Sequence, residues 1–280
     1  MRLKEALTEG RQVLALAGVP QSRREAADLL SFVIKSPSNG FFFNEDKVLS
    51  PQEIGHWRSL ISRRAQREPF AYLTERIDFL GCQLAVTADV LVPRQETEIL
   101  AKKIIQTLPP DEEKVAWDLC CGSGCLGIAI QQARPRLEMT LSDVSEKALD
   151  LARLNGERNG VQARYLLGDL LAPFKGEKAD YLFCNPPYLA EKEYALVEPE
   201  VRCFEPRSAL VAGVSGVEFF IRLARELPSL LAPSARVFFE IGASQGRALE
   251  KIFSGKEWKN SFCVPNWAGK ERFFFLKFCP

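Results

Sequence analysis

Apolar residues in the first quarter of the chain recur at helical spacing, and no convincing strand precedes about residue 76. Leu3, Leu7, Leu14 and Ala17 share one helix face. Ser22 followed by Glu25 reads as a capping box that opens a helix through Lys35. Ser50-Pro51-Gln52-Glu53 is a stronger one, with proline in the first helical position. The helix it starts places Ile54, Trp57 and Ile61 together, carries His56, and is expected to end at Pro69. The stretch from 77 to 92, IDFLGCQLAVTADVLV, is apolar and broken at Gly81 and Ala88-Asp89, the pattern of a β-hairpin.

A helix follows from about Glu96 to Leu108, then a turn, PPDEEK. From residue 115 strands and helices alternate. Strands are expected at 115–119, 137–143, 163–167, 179–184, 235–241, 258–264 and 272–278, and helices near 125–134, 145–159, 216–231 and 244–254. The pattern is that of an α/β protein with a mostly parallel sheet covered on both faces. The last two strands are joined too closely for a parallel crossover, so the sheet should end antiparallel. The expected organisation is a helical domain over 1–76, a β-hairpin connector over 77–92 and a sheet domain over 93–280.

Composition narrows the function classes. At 280 residues, 46% hydrophobic and 26% charged, the chain is an ordinary globular protein of one large or two unequal domains. It has no apolar run long enough to span a membrane, and MRLKEALTEGRQ lacks the apolar core of a secretory signal. A cytoplasmic protein with reduced thiols at all eight cysteines is expected. With 37 basic and 36 acidic residues, nothing in the charge balance calls for a dedicated nucleic-acid binder. The single histidine and the absence of C-x-x-C spacing argue against a metal site or a histidine-based triad. A monomer is the default.

Two segments carry candidate chemistry. The first, Trp117 to Gly127, joins a strand to a helix and contains Gly122-x-Gly124-x-x-Gly127. Its glycines permit a tight turn and bring backbone N–H groups close to a ligand. Asp143 ends the next strand about 20 residues on, where a carboxylate can accept from ribose hydroxyls. A nucleoside-containing cofactor fits, either a nicotinamide dinucleotide or S-adenosylmethionine. Asp118, four residues before Gly122, gives the D-x-x-x-G-x-G form typical of adenosylmethionine methyltransferases. Cys120, Cys121 and Cys125 read as small side chains packed beside the loop.

The second segment, Asn185-Pro186-Pro187-Tyr188, follows the strand ADYLFC and so sits at a strand's carboxyl end. Two prolines offer carbonyl acceptors without competing donors and stiffen the residues before them. Asn185 adds a side-chain oxygen, and Tyr188 an aromatic face for a flat amide or base. Such a cluster suits methyl transfer to a conjugated nitrogen. Acceptors on both N–H groups favour positive charge building on that nitrogen and aim it in line.

With these residues the chain resembles the HemK/PrmC family of protein-(glutamine-N5) methyltransferases over nearly its whole length. The likeness includes Glu68-Pro69, Tyr72-Leu73, Phe79-x-Gly81, Leu91-Val92-Pro93-Arg94-Gln95-Glu96-Thr97-Glu98, Gly168-Asp169, Glu205-Pro206-Arg207-x-Ala209-Leu210 and Glu240-Ile241-Gly242. The resemblance implies a seven-stranded class I methyltransferase domain, Rossmann-like, behind a small N-terminal helical domain. It implies that Cys120, Cys121, Gly122, Ser123, Gly124 and Asp143 hold S-adenosylmethionine, whose product is S-adenosylhomocysteine, with Asp169 and Leu170 near the adenine and Asn185 beside the cofactor. Asn185, Pro186, Pro187 and Tyr188 would hold the glutamine of the Gly-Gly-Gln motif of class 1 peptide chain release factors, with Asn185, Pro186 and Tyr188 catalytic. The N-terminal helices would help to dock that protein. Arg94 and Glu96 either frame the substrate or form a salt-bridged helix start. The family usually has proline at Gln95 and glycine-threonine at Cys120-Cys121; the latter exchange is harmless provided position 120 does not need positive φ. Residues 189–214 form a long loop expected to order when the protein substrate binds. Competing readings are an amino-methyltransferase acting on a nucleic-acid base or on a ribosomal-protein glutamine, a non-catalytic binding module, and a nicotinamide dehydrogenase.

Overall fold

The computed structural model describes residues 1–37, 41 and 46–280. They form two compact units, Met1–Glu75 with Glu198–Phe204, and Arg76–Val197 with Glu205–Pro280. Among the described residues no helix is long and apolar enough to cross a membrane, and all eight cysteines are free thiols.

The first unit contains α1 (Leu3–Leu16), α2 (Ser22–Ile34), α3 (Pro51–Ala65) and α4 (Phe70–Thr74). Their apolar faces meet around Leu14, Leu29, Leu30, Trp57 and Leu60. Gly10 lets α1 approach α3, because a Cβ there would lie 2.6 Å from the Trp57 ring. The Ser50 capping box forms in both directions: Glu53 N–H donates to Ser50 Oγ, and Ser50 N–H donates to the Glu53 carboxylate at 2.7 Å. The Ser22 box does not form. The chain already turns at Pro20 and Gln21, so Gln21 is the N-cap and its carbonyl accepts from Glu25 N–H. Pro69 likewise does not end α3, which stops at Ala65; it is the N-cap of α4, where a missing N–H removes no helical bond. His56 is exposed on α3, at the edge of the Phe32 ring.

The second unit opens with the hairpin β1 (Arg76–Phe79) and β2 (Cys82–Ala85), followed by α5 (Gln95–Thr107), β3 (Val115–Leu119), α6 (Cys125–Ala133), β4 (Glu138–Asp143), α7 (Glu146–Arg158), β5 (Arg164–Leu167), β6 (Ala179–Cys184), β7 (Leu189–Ala190) and α8 (Glu191–Tyr194). The chain then contributes α9 (Pro199–Phe204) to the first unit. It returns as β8 (Val211–Gly213), α10 (Glu218–Glu226), β9 (Leu231–Glu240), α11 (Gly246–Ile252), β10 (Trp258–Pro265) and β11 (Glu271–Phe278). Within the first unit, Glu200 of α9 takes Arg64 Nη2 at 3.1 Å and Arg67 Nη2 at 2.7 Å, and Arg64 also binds Glu25. Arg64 is buried, so its charge is compensated on both sides.

The seven-stranded sheet runs β10-β11-β9-β6-β3-β4-β5. β11 is antiparallel to both neighbours, and the remaining pairs are parallel. The antiparallel ending expected from the short last connection is therefore present. Because helices cover both faces, alternate residues of one strand feed different cores: Phe183, Phe238 and Phe273 point to one, Leu182, Phe239 and Phe274 to the other. β4 and β6 flank β3 on opposite sides, so the sheet's order reverses there and opens a crevice at the carboxyl ends.

The β1–β2 hairpin is part of the second unit, held by two asparagines one turn apart, Asn155 on α7 and Asn159 at its C-cap. Asn155 accepts from Ala85 N–H at 2.7 Å and donates to the Ala85 carbonyl; Asn159 does the same for Gln83. Each side-chain amide imitates a backbone partner along the free edge of β2. Asn155 is fully buried and donates as well to the Ser123 carbonyl in the glycine loop. Residues 189–214 are not a plain loop either. Leu189 N–H donates to the Leu210 carbonyl in the β7–β8 pair, and the Glu205 carboxylate is buried among partners, so the segment has its own fastenings. Asn155→Ala strips three buried groups of their partner. It is expected to lower the unfolding free energy by about 3 kcal/mol, read as a fall in the urea midpoint.

Candidate active site

The turn between β3 and α6 is built from left-handed residues: Cys120 at φ 54°, Gly122 at 52° and Gly124 at 79°. A Cβ on Gly122 would meet no atom within 4 Å, so this glycine faces open space. A Cβ on Gly124 would press on Ile128 at 2.8 Å, and one on Gly127 would lie 2.8 Å from Asp118 Oδ2. That contact is filled instead by a hydrogen bond, Gly127 N–H to Asp118 Oδ2 at 2.8 Å. Position 120 does require positive φ, so the cysteine there carries strain of about 1 kcal/mol that a glycine would not.

Asp143 at the end of β4 grips the same turn. Its Oδ2 accepts from Gly122 N–H and its Oδ1 from Ser145 N–H, both at 2.9 Å. Burial pushes its carboxyl up, and these backbone donors pull it back. A cavity of about 300 Å³ opens over the turn. Cys120, Cys121, Gly122, Ser123, Asp143, Asp169, Leu170, Arg94, Asn185 and Pro187 all line it; Gly124, Glu96, Pro186 and Tyr188 do not. The Asp169 carboxylate accepts from Arg222 Nη1 and Nη2, at 3.1 and 2.8 Å. Val90 and Leu91, in the connection after the hairpin, add an apolar wall.

Asn185 follows β6, and the parallel register that pairs Cys184 with Phe239 sets it beside Glu240, the last residue of β9. Asn185 Nδ2 donates to Thr97 Oγ1 at 3.2 Å, and Thr97 Oγ1 donates to Glu240 Oε2 at 2.7 Å. The Tyr188 hydroxyl lies 3.5 Å from Glu240 Oε1, and the Arg272 guanidinium faces the Tyr188 ring at 5.8 Å. The Tyr188 carbonyl is taken by Gln245 Nε2 at 2.8 Å, as is that of Gly216. Tyr188 therefore buttresses the tetrapeptide with its ring turned to Arg272. Arg94 Nη2 binds Glu205 Oε1 at 2.5 Å, while Glu205 Oε2 accepts from Val92 N–H. The salt-bridged helix start expected for Arg94 thus has its partner 111 positions away.

Two carboxyls in this region are wholly buried. Burial pushes Glu240 from 4.5 to about 7, against the Thr97 hydroxyl and the Arg272 and Arg94 charges. Burial likewise pushes Asp118 to about 7, with the Gly127 N–H opposing and the Asp143 charge adding to it.

Comparison with known proteins agrees with this arrangement. Residues 5–74 match the PrmC N-terminal domain and residues 94–201 the methyltransferase small domain. The release factor glutamine methyltransferase of Chlamydia trachomatis serovar D is 40% identical over 276 residues, 98% of this chain and 94% of that protein. The chain belongs to the release factor glutamine methyltransferase family. The Moorella thermoacetica relative of the same name is 33% identical over 98% of both chains. A methyltransferase from Pyrococcus furiosus has the same fold, with a TM-score of 0.52 at 17% identity over 71% of this chain and 89% of its own. A T. thermophilus 16S rRNA methyltransferase in complex with AdoMet and guanosine shares it too, at 0.52 and 15% identity, covering 72% of this chain and 49% of its own.

In this family member the sequence motifs marked the glycine turn and the tetrapeptide but gave no role to Thr97, Glu205, Glu240 or Gln245. Thr97 and Glu240 stand in the segments that carry the resemblance, yet they are 143 positions apart and no spacing rule pairs them. Cys120→Gly is expected to raise stability by at most about 0.5 kcal/mol, strain relief slightly outweighing the added unfolded-state freedom; the urea midpoint reads it. An unfolded glutamate loses its proton near its ordinary value, whereas folded Glu240 keeps its proton to about pH 7. Stability should therefore fall as pH rises through that window and level off above it. Glu240→Gln should flatten that slope by at most about 1.4 kcal/mol per pH unit, measured by urea unfolding at a series of pH values.

Proposed function

We propose that this protein methylates the side-chain amide nitrogen of a glutamine, that of the Gly-Gly-Gln motif in peptide chain release factors, using S-adenosylmethionine. The observation that carries the reading is that Asn185 lines the same cavity as the glycine turn, with its amide nitrogen already committed to Thr97. The residues present suit the cofactor: Gly122 leaves open space for close approach, and Asp143 presents a carboxylate with lone pairs to spare for ribose hydroxyls. Cys120 to Ser123, Asp143, Asp169 and Leu170 would hold it, with Gly124 packed behind the turn against Ile128. When bound, S-adenosylmethionine supplies a methyl group on a positively charged sulfur.

The protein's part is to present the nitrogen. Asn185 Oδ1 takes one hydrogen of the substrate amide and a carbonyl of the proline pair, of which Pro187 lines the cavity, takes the other. The Tyr188 carbonyl plays no such part, being engaged by Gln245. Held by two acceptors, the amide is fixed in its plane, and positive charge growing on nitrogen is met by oxygen dipoles already in place. No strong base is needed first, because the proton leaves once the new bond exists. The names of the relatives support the choice of substrate.

Mass spectrometry of release-factor peptides after incubation with enzyme and cofactor tests this. Wild type is expected to add 14 Da, about the mass of one methylene, to the Gly-Gly-Gln peptide. Asn185→Ala should cut turnover on the order of 10²-fold with stability changed by only ~1 kcal/mol. Label on DNA or ribosomal RNA and none on release factor would overturn the assignment.

A further inference from the structure

A hydroxyl has one hydrogen to give. Thr97 lies 2.7 Å from Glu240 Oε2, and above about pH 7, where Glu240 is ionised, its carboxylate can only accept, so that hydrogen points to Glu240. Towards Asn185, 3.2 Å away, Thr97 then offers only lone pairs. The Asn185 group that faces it must be the NH2, which turns Oδ1 the other way. The direction of the Asn185 amide follows from this donor count. Thr97 and Glu240 are both buried, 2% and 1% exposed, so no solvent water competes for their bonds. The two come from different elements, the first turn of α5 and the end of β9, and neither backbone is free to follow a rotating side chain.

We infer that Thr97 and Glu240 are a positioning pair that locks the Asn185 carboxamide with its oxygen presented as acceptor. Its catalytic consequence rests on the amide-methylation reading above, but the lock itself does not. Without it a carboxamide can flip and present NH2 to the substrate's NH2, two donors face to face. The same Glu240 carboxylate reaches towards Tyr188 through its other oxygen, so both ends of the tetrapeptide are referred to one buried group.

The test, run above pH 7 where Glu240 is ionised, uses the full-length protein with Thr97→Val, Thr97→Ser and Asn185→Ala, singly and with Thr97→Val combined with Asn185→Ala. Thr97→Val keeps the shape and removes the hydroxyl. It is expected to lower kcat on the order of tenfold or more, while Thr97→Ser recovers most of that loss. In the Asn185→Ala background Thr97→Val should cost less than about twofold, because the residue it works through is gone. Equal losses in both backgrounds, or no recovery with serine, would overturn the pair's role. An independent readout is the side-chain NH2 resonance of Asn185 in asparagine-labelled protein, assigned by its loss in Asn185→Ala. It should shift and exchange faster in Thr97→Val and not in Thr97→Ser. An unmoved resonance in Thr97→Val sinks the lock whatever the substrate. Failure of wild type to methylate release factor with the resonance shifted as expected sinks only the substrate reading.

Discussion

The hydrogen bond from Gly127 N–H to Asp118 Oδ2 draws the start of α6 against β3 at a distance that no side chain at 127 would permit. Everything at the mouth of the site depends on that approach. With the helix held there, the five residues between β3 and α6 have too little length for ordinary backbone angles. They cross in the left-handed region at Cys120, Gly122 and Gly124. The Gly122 N–H then meets the Asp143 carboxylate, and Asn155 secures the turn's far side from α7. A cavity floor made mostly of backbone results, and its shape is set by helix–strand packing more than by the identity of the cysteines between.

Across the cavity the geometry is held by polar bonds of another kind. Thr97, Glu240 and Asn185 belong to a helix start, a strand end and a post-strand turn, and they meet because β6 and β9 run parallel in register. Burial raises the energy of the Glu240 charge, and the neighbouring arginines and threonine offset part of that. A buried carboxylate with few alternatives makes a rigid reference point. Arg94 and Glu205 do the same for the segment that re-enters the sheet unit after α9. Asn185 is thus held by Thr97, and Thr97 in turn by Glu240.

Much of this was legible in the residues. The alternation of strands and helices after residue 115 announced a covered parallel sheet, and VAWDL and ADYLFC have the bounds expected of them. The glycine turn, Asp143 and the Asn-Pro-Pro-Tyr segment announced themselves because their chemistry is local: a glycine conformation, a missing N–H, a carboxylate at a strand end. Local rules misjudged the chain where a neighbour decided. Ser22 lost its capping role to a turn one residue earlier, and Pro69 opened a helix instead of closing one. The hairpin joined the sheet unit through asparagines some 70 positions away.

The amino-acid sequence by itself determined the fold class, the order of elements and the two segments that line the cavity, since each depends on periodicity or on the conformational limits of single residues. Only the tertiary structure decided that Cys120 must be left-handed, that Tyr188 turns to Arg272, and that Thr97 and Glu240 stand behind Asn185. Those facts depend on which groups meet across the sheet once water is excluded, and a hydrogen bond between residues 143 positions apart leaves no trace in local spacing.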